Sequence, residues 1–413
     1  MSTDQAAAKI PTSPFAIRSF RLYWAARFLA SFAVQIIVVA VGWQLYEATR
    51  DPFLLGMVGL AEFLPAILLV LATGAVADRF DRLNIGAICI AAEAVCAAAL
   101  LWIFLAGGTP LLPIFTVLVG IGIARAFMGP ALQSVVSGLV PTDVLPSAIA
   151  WNTSLWQIGS ITGPMAGGLL YGIGGEIAYG VATLLLLASL ILIQMVPRTS
   201  TTRATSAQRP SLETLFGGFR YVLSQPVILG AISLDLFAVL LGGATALMPA
   251  FARDILDVGP WGLGMLRAAP GVGAIVMGVY LARYPIRQRA GFIMFAGVGL
   301  FGLATLVFGL SKSVPLSLAA LLIAGAADMI SVYVRESMIQ LATPDDLRGR
   351  VNAVNMVFVG ASNELGAFRA GTMAAFTGVV PAVVIGGIGT MIVAALWPRL
   401  FPTLAKTEKL EGR

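Results

Sequence analysis

Twelve long apolar segments constrain this chain more than any other feature of its sequence. Each has about 20 residues or more, enough for a helix to cross the hydrocarbon core of a bilayer. Hydrophobic residues make up 58% of the 413 residues and charged residues only 11%, against about 25% charged in an average soluble domain. The sequence therefore predicts an all-α integral membrane protein, with no room for a soluble catalytic domain. The predicted spans are 20–46, 53–77, 85–106, 111–139, 146–174, 176–196, 226–252, 261–282, 288–311, 314–342, 349–379 and 380–401.

The placement of basic residues predicts an orientation. If the N-terminus lies inside, only Arg50, Arg253 and Lys312 fall in outer loops, and the other loop Lys and Arg residues fall in cytoplasmic segments. That asymmetry follows the positive-inside rule, and it explains the net charge of +6 without a nucleic-acid partner. We therefore expect a multi-pass protein of the bacterial cytoplasmic (inner) membrane with both termini in the cytoplasm.

The composition offers little for a metal or a cofactor. The chain has no His. Cys89 and Cys96 are seven residues apart on one predicted helix, so they lie about 10 Å apart, too far for a disulfide. Neither thiol has a second ligand nearby, and Gly271–Gly273 lacks the strand-turn-helix context of a phosphate loop. We expect no metal site and no cofactor.

The chain repeats itself with an offset of 203 residues. A repeat of six spans plus six, related by an axis along the membrane normal, predicts two similar halves. We expect an N-terminal bundle over 1–196, a cytoplasmic linker with an amphipathic helix over 197–225, and a C-terminal bundle with a short tail over 226–413. The matching residues are Pro141 with Pro344, Asp143 with Asp346, Ala150 with Ala353, Asn152 with Asn355, Gly163 with Gly366, and Gly168 with Gly371.

A glycine-proline motif lies in the fifth predicted span. Its pattern is G-x-x-x-G-P-x-x-G-G, formed by Gly159, Gly163, Pro164, Gly167 and Gly168. Small residues at helical spacing let another helix approach to backbone contact, and the proline loosens the helix. We expect Gly163 and Gly167 to set the approach of this span to a helix of the other half. An ordinary packing face is the alternative.

A second motif joins the second and third spans. Gly74, Asp78, Arg79 and Arg82 form G-x-x-x-D-R-x-D-R. Asp78 stands at a cytoplasmic helix end, where an anion stabilises the N-terminus of a neighbouring helix. Arg79 and Arg82 suit carboxylates or anionic lipid. Simple positive-inside anchoring is the alternative for the arginines.

Together these motifs resemble the major facilitator superfamily over essentially the whole chain. The first resembles its antiporter motif, and the second its loop signature, although Asp81 stands where the family has glycine. Arg125, in Gly122–Arg125, resembles an arginine of the fourth span that is linked with proton transfer. With the segment Leu347–Asn352, the similarity is greatest to the twelve-span drug:proton antiporters and the branch of enterobactin exporters and macrolide efflux proteins. The resemblance implies twelve helices in two six-helix pseudo-symmetric halves that rock in alternating access.

The resemblance also implies a cavity lined chiefly by spans one, four, seven and ten. Charges inside spans are costly and mark function by default, although static ion pairs are the alternative. Arg125 and Asp328 are repeat equivalents of opposite charge, so we expect them to pair across the cavity. We expect Glu93, on the peripheral third span, to be structural. The expected proton-coupling residues are Asp235, Asp328 and Arg125. The expected cavity residues are Arg27, Arg125, Trp151, Trp156, Glu62, Asp235 and Asp328.

The sequence thus predicts a proton-coupled exporter of amphipathic small organic molecules, such as siderophores or drugs. Its expected partners are that substrate, protons and membrane lipids, and we expect a monomer. A proton-coupled uptake symporter on the same fold is the first alternative. A non-transporting membrane enzyme or sensor is the second, and the lack of His, of a reactive Cys setting and of a soluble domain weighs against it.

Overall fold

The computed structural model describes residues 13–197 and 212–407. Those residues contain twelve helices of membrane-spanning length, which we number as spans 1 to 12, so the predicted twelve-helix architecture is confirmed. The spans are Arg18–Thr49, Pro52–Arg79, Arg82–Leu105, Leu111–Gln133, Leu145–Ile173, Gly175–Gln194, Pro226–Ile255, Gly259–Arg283, Ala290–Leu310, Val314–Ala342, Asp345–Thr377 and Val379–Leu400.

Within the described ranges, ten of these helices are apolar enough to cross a membrane by composition alone. The two that are not are spans 5 and 11, each of which packs against helices of both halves: span 5 on spans 1 and 8, and span 11 on spans 2, 7 and 12. A helix face that packs against other helices tolerates polar and charged residues that a lipid-facing surface does not. Their lower hydropathy therefore reflects their position between the halves.

Local signals place the helix ends. The Asp51 side chain accepts a hydrogen bond from the backbone N–H of Phe53 (2.9 Å) and caps span 2, which begins at Pro52. Asp81 caps span 3 in the same way, accepting from the N–H of Asn84 (2.9 Å). Span 7 leaves regular α-helix after Gly242 and ends in a π-helical turn.

Each half has its own apolar core. The core of the N-terminal half joins all six of its spans, and a core in the C-terminal half joins spans 7, 9, 10 and 12. A further cluster crosses between the halves, where Val39 and Trp43 of span 1 pack with Phe251 of span 7 and Leu263 of span 8. All four lie near the end of the molecule where span 1 turns into span 2. We call this the outer end, after the predicted orientation.

A short helix, Leu212–Ser224, precedes span 7. It packs against span 11, where the ring of Phe219 stacks on that of Phe358 with 6.3 Å between ring centroids. The hydroxyl of Tyr221 donates to the Ala342 carbonyl of span 10 (3.1 Å). Residues 198–211 lie outside the described ranges.

Candidate functional site

A cavity of about 550 Å³ lies between the two halves. Five charged side chains line it: Glu62 and Arg125 of the N-terminal half, and Arg267, Asp328 and Glu364 of the C-terminal half. They come from spans 2, 4, 8, 10 and 11. The cavity thus draws on more helices than the four that the family resemblance implied, and it places cations and carboxyl groups from both halves in one space.

Arg125 pairs inside its own half. Its Nη1 atom donates to Oε2 of Glu62 at 3.0 Å. The expected direct pair with Asp328 does not form among the described residues, although Asp328 lines the same cavity. The reason is proximity: span 2 packs directly on span 4, so Glu62 reaches the guanidinium first, whereas Asp328 lies across the cavity.

Two charged residues that line the cavity were not among the cavity residues predicted from the sequence. Glu364 reaches across to span 2, where its carboxylate lies against Gly59 so closely that a Cβ there would overlap it. Arg267 is half-buried, and its buried Nε atom has no hydrogen-bond partner among the described residues. Their charge within apolar spans was the available signal, but the expectation that spans one, four, seven and ten chiefly line the cavity left these two residues out.

Asp235 lies elsewhere. It is 5% exposed and forms an ion pair with Arg335, which is 3% exposed. Glu336 extends this network, since its Oε1 lies 3.7 Å from Nε of Arg335 and accepts a hydrogen bond from Asn355 (2.8 Å). Asp235 is not among the residues that line the central cavity.

The glycine-proline motif contacts span 1 on one face, which corrects the expected partner of Gly163 and Gly167. These two residues and Gly159 all face span 1 of the same half. Cβ atoms built on Gly159, Gly163 and Gly167 would meet Ser31, Gln35 and Ile36, respectively. This face therefore sets the packing inside the N-terminal half.

Pro164 and Gly168 of the motif contact the other half, where both lie against Gly264 of span 8. A Cβ on Gly168 would lie 2.9 Å from the Cα of Gly264 in span 8. Its repeat equivalent, Gly371, lies against span 2, where a Cβ would be 2.7 Å from the Cα of Gly56. Two glycine crossings thus join the halves near the outer end, on the two sides of the cavity.

Charged and aromatic side chains join the halves at the same end. Asp254, near the end of span 7, forms an ion pair with Arg50 and accepts a hydrogen bond from the hydroxyl of Tyr46 (2.5 Å). Arg253 approaches Glu47 of span 1, with 3.5 Å between Nη2 and Oε1. Together with the glycine crossings, these contacts close the outer end of the cavity.

Comparison with known proteins decides the family. From residue 9 to residue 411 the chain matches the family described as transmembrane secretion effectors, a group of the major facilitator superfamily. The chain belongs to this family.

Similar proteins agree with this assignment. The chain is 27% identical over 390 residues to the enterobactin exporter EntS of Shigella boydii serotype 4 (strain Sb227), covering 92% of this chain and 90% of that protein. It is 26% identical over the same length to EntS of Escherichia coli O1:K1 / APEC.

Solved structures show the same fold. An inward-facing, unoccupied bacterial homologue of the human lysosomal transporter Spinster superposes with a TM-score of 0.73 at 16% identity, covering 94% of this chain and 98% of that chain. A POT family transporter in complex with 5-aminolevulinic acid gives 0.73 at 12% identity, covering 96% and 99%.

Within this family member, Arg27 lines a small pocket of about 100 Å³ beside the central cavity. Its Nη1 atom donates to Oδ1 of Asn152 (3.0 Å) and lies 3.1 Å from the hydroxyl of Tyr23. The small pocket and the cavity share Gln35 and Arg125 as lining residues. Arg27 thus lies next to the cavity without lining it.

Trp151 and Trp156 of span 5 were both expected to line the cavity. Trp151 packs edge-on against Phe15, with 5.0 Å between ring centroids, and its carbonyl accepts a hydrogen bond from the indole N–H of Trp24 (3.0 Å). It belongs to an aromatic cluster at the inner end and is not among the cavity-lining residues. The side chain of Trp156 lies outside the described part of the structure.

The loop motif lies at the inner end of spans 2 and 3. Arg79 is exposed, and Nη1 of Arg82 lies 3.5 Å from the Ser134 carbonyl oxygen at the end of span 4. The surroundings of Gly74 and the side chain of Asp78 lie outside the described part. Asp81, which replaces the family glycine, is the cap of span 3.

Proposed function

We propose that this protein exports amphipathic small organic molecules in exchange for protons, by alternating access of the cavity between its halves. The observation that carries the proposal is the central cavity, which contains two arginines and three carboxyl groups contributed by both halves. A solute and a proton that bind there contact both halves at once. Rocking of the halves then moves both from one side of the membrane to the other.

The contacts that join the halves at the outer end are suited to a gate that opens and closes reversibly. Arg50 and Asp254 are 49% and 38% exposed in their side chains, and exposed ion pairs contribute only about 0–1 kcal/mol each. The glycine crossings add close packing but no covalent or deeply buried ionic link. Such contacts hold one state and are weak enough to break when the other state forms, as alternating access requires.

A row of aromatic rings favours aromatic or amphipathic substrates. Trp24 stacks on Phe28 with 5.5 Å between centroids, and Phe28 stacks on Phe32 at 5.7 Å. The row follows span 1 from the inner end toward Gln35, which lines the cavity. Half-buried rings bind planar apolar groups, and Arg125 and Arg267 suit anionic ones. The EntS relatives are exporters of enterobactin, so we propose a siderophore- or drug-like solute.

Asp328 is the carboxyl group that we propose as a proton carrier. It lines the cavity in span 10. Low dielectric favours the neutral form of a carboxyl group, while nearby cations favour its ionised form. A cavity that changes its water content and its distance to arginine during rocking therefore loads and releases a proton.

Asp328→Asn is accordingly expected to abolish proton-driven accumulation while substrate exchange down a gradient continues. The measurement is transport in proteoliposomes with and without a pH gradient. Asp143→Asn, at an exposed loop position, is the matched control and should behave as wild type. Full gradient-driven transport by Asp328→Asn would show that this residue does not carry the proton.

Flux in inside-out membrane vesicles tests the function itself. With an imposed gradient, acidic inside, an exporter loads siderophore- or drug-like compounds into the vesicle as protons leave. Uptake by symport gives the opposite result, since solute and protons then leave together. Transport restricted to small sugars or inorganic ions would also overturn the proposal.

We further propose that the protein acts as a monomer in the bacterial inner membrane, with both termini in the cytoplasm.

A further inference from the structure

Glu93 is an ionisable residue that does not line the central cavity. It lies in the middle of span 3 and is 0% exposed. Neither carboxyl oxygen has a hydrogen-bond partner among the described residues. Glu93 lines the small pocket of the N-terminal half, whose apolar lining includes Ile90 and Leu132. A purely structural carboxylate is paired or hydrogen-bonded when buried, and Glu93 is neither.

The cations beside Glu93 are engaged with other groups. Arg27 of span 1 lies against Asn152 and Tyr23. Arg125 of span 4 donates to Glu62 of span 2. Both arginines line the same small pocket as Glu93, yet neither pairs with it.

Few other titratable groups surround this site. Cys89 and Cys96 belong to its own helix, and the remaining polar lining of the pocket consists of Ser31, Gln35 and Asn152. Span 6 also packs on span 3 but contributes no lining residue to the pocket. An ionised Glu93 in these surroundings would lack compensation at a cost of several kcal/mol. The arrangement therefore fits a protonated carboxyl group.

We propose that Glu93 binds a proton and that its release moves Arg125 from Glu62 to Glu93. The protonated carboxyl group leaves Arg125 on Glu62, which is the arrangement in this structure. When the proton leaves to water, the new carboxylate attracts the guanidinium. Glu62 is then released into the central cavity, where it takes a proton or contacts the solute. The only covalent bond that breaks is the carboxyl O–H, and the hydrogen bond from Arg125 to Glu62 is exchanged for one to Glu93.

The exchange requires movement of only one side chain, that of Arg125. It lines both the small pocket and the central cavity, so a rotation of one long side chain transfers its charge from one space to the other. Proton occupancy at Glu93 thereby changes the charge of the substrate cavity. The idea rests on the proposed proton-coupled export, and it gives span 3 a role that the sequence did not predict.

The test uses the purified full-length protein and the hydrophobic reagent dicyclohexylcarbodiimide, which modifies protonated carboxyl groups. Modification of Glu93 is quantified by mass spectrometry between pH 5 and pH 9. We expect Glu93 to be modified in wild type and the modification to fall as pH rises. In Glu62→Gln the freed Arg125 should turn to Glu93, so half-maximal modification should move down by about one to three pH units, the effect of one close opposite charge. In Arg125→Gln it should move up.

Controls separate this proposal from a structural role and from the proposed function. Cys89→Ser, a buried change one turn away on span 3, should leave the pH profile unchanged. Glu93→Gln should retain downhill substrate exchange and lose proton-driven accumulation, and Glu93→Asp should restore part of it. The same pH profile in wild type, Glu62→Gln and Arg125→Gln would overturn the exchange of partners. If the profiles shift as expected but wild type moves no solute against a gradient, the function fails and the exchange stands.

Discussion

Arg335→Met is expected to lower the free energy of unfolding by about 3–5 kcal/mol, because it leaves a buried carboxylate without its partner. Asp235 and Arg335 are 5% and 3% exposed, so water cannot replace the lost contact. The measurement is the denaturation of the detergent-solubilised protein, followed by the loss of its monodisperse fraction on heating or in denaturant. Both the yield of folded protein and its thermal stability should fall.

The double variant Asp235→Asn, Arg335→Met distinguishes a pair from two independent residues. It should be more stable than Arg335→Met alone, because no unpaired charge remains. Arg50→Met is the matched control, since Arg50 belongs to an exposed pair and its loss should cost only about 0–1 kcal/mol. Equal stability of Arg335→Met and Arg50→Met would contradict the argument.

This result would also separate two aspartates that look alike in the sequence. Asp235 and Asp328 both stand in apolar spans of the C-terminal half, and both were proton-carrier candidates. The structure places Asp328 on the cavity and Asp235 on Arg335. Which way each side chain faces depends on the rotation of spans 7 and 10 about their axes. That rotation is set by packing against neighbouring helices, and no local pattern encodes it.

Helix positions, in contrast, were predictable because hydropathy is a local property. All twelve predicted spans have a counterpart, with ends displaced by a few residues. The largest difference is at span 4, which was expected to reach residue 139 and ends at Gln133. There the hydroxyl of Ser134 lies within hydrogen-bond distance of the Pro130 and Ala131 carbonyls, local bonds that compete with continuation of the helix.

The contacts of individual side chains were predicted less well than the positions of the helices. The repeat predicted that Arg125 and Asp328 lie at similar depth, and both line the cavity, but it does not reveal that Glu62 is closer to Arg125. Nor does the repeat by itself reveal which glycines lie at the interface between the halves. Gly168 and Gly371 are repeat equivalents, and both cross between the halves, whereas Gly163 faces span 1. Recurrence alone does not identify the interface, because Gly163 and Gly366 are also repeat equivalents and a Cβ on either would meet a helix of its own half.

The second large effect is expected at the glycine crossing, where Gly168→Leu should disfavour closure of the outer end. A Cβ at this position would meet backbone atoms of span 8, including the Cα of Gly264 at 2.9 Å, and backbone cannot move aside as a flexible side chain can. Overpacking of this kind costs about 1–3 kcal/mol, which displaces the equilibrium away from the closed state by about 5- to 150-fold. Transport should fall accordingly, since alternating access needs both states.

Gly172→Leu is the matched control, because it lies one turn further along the same span and a Cβ there meets nothing within 4 Å. Spin labels at Gly108→Cys and Lys312→Cys, in Cys89→Ser, Cys96→Ser protein, report the distance between the halves at the outer end. Gly168→Leu should shift that distance distribution to longer values, while Gly172→Leu should match the parent in both distance and transport. Gly371→Leu should reproduce the effect from the other side of the cavity, since its Cβ would meet Gly56 in the same way. Wild-type transport by Gly168→Leu would mean that the outer end closes without this crossing, and that the motif serves only the packing of span 5 on span 1.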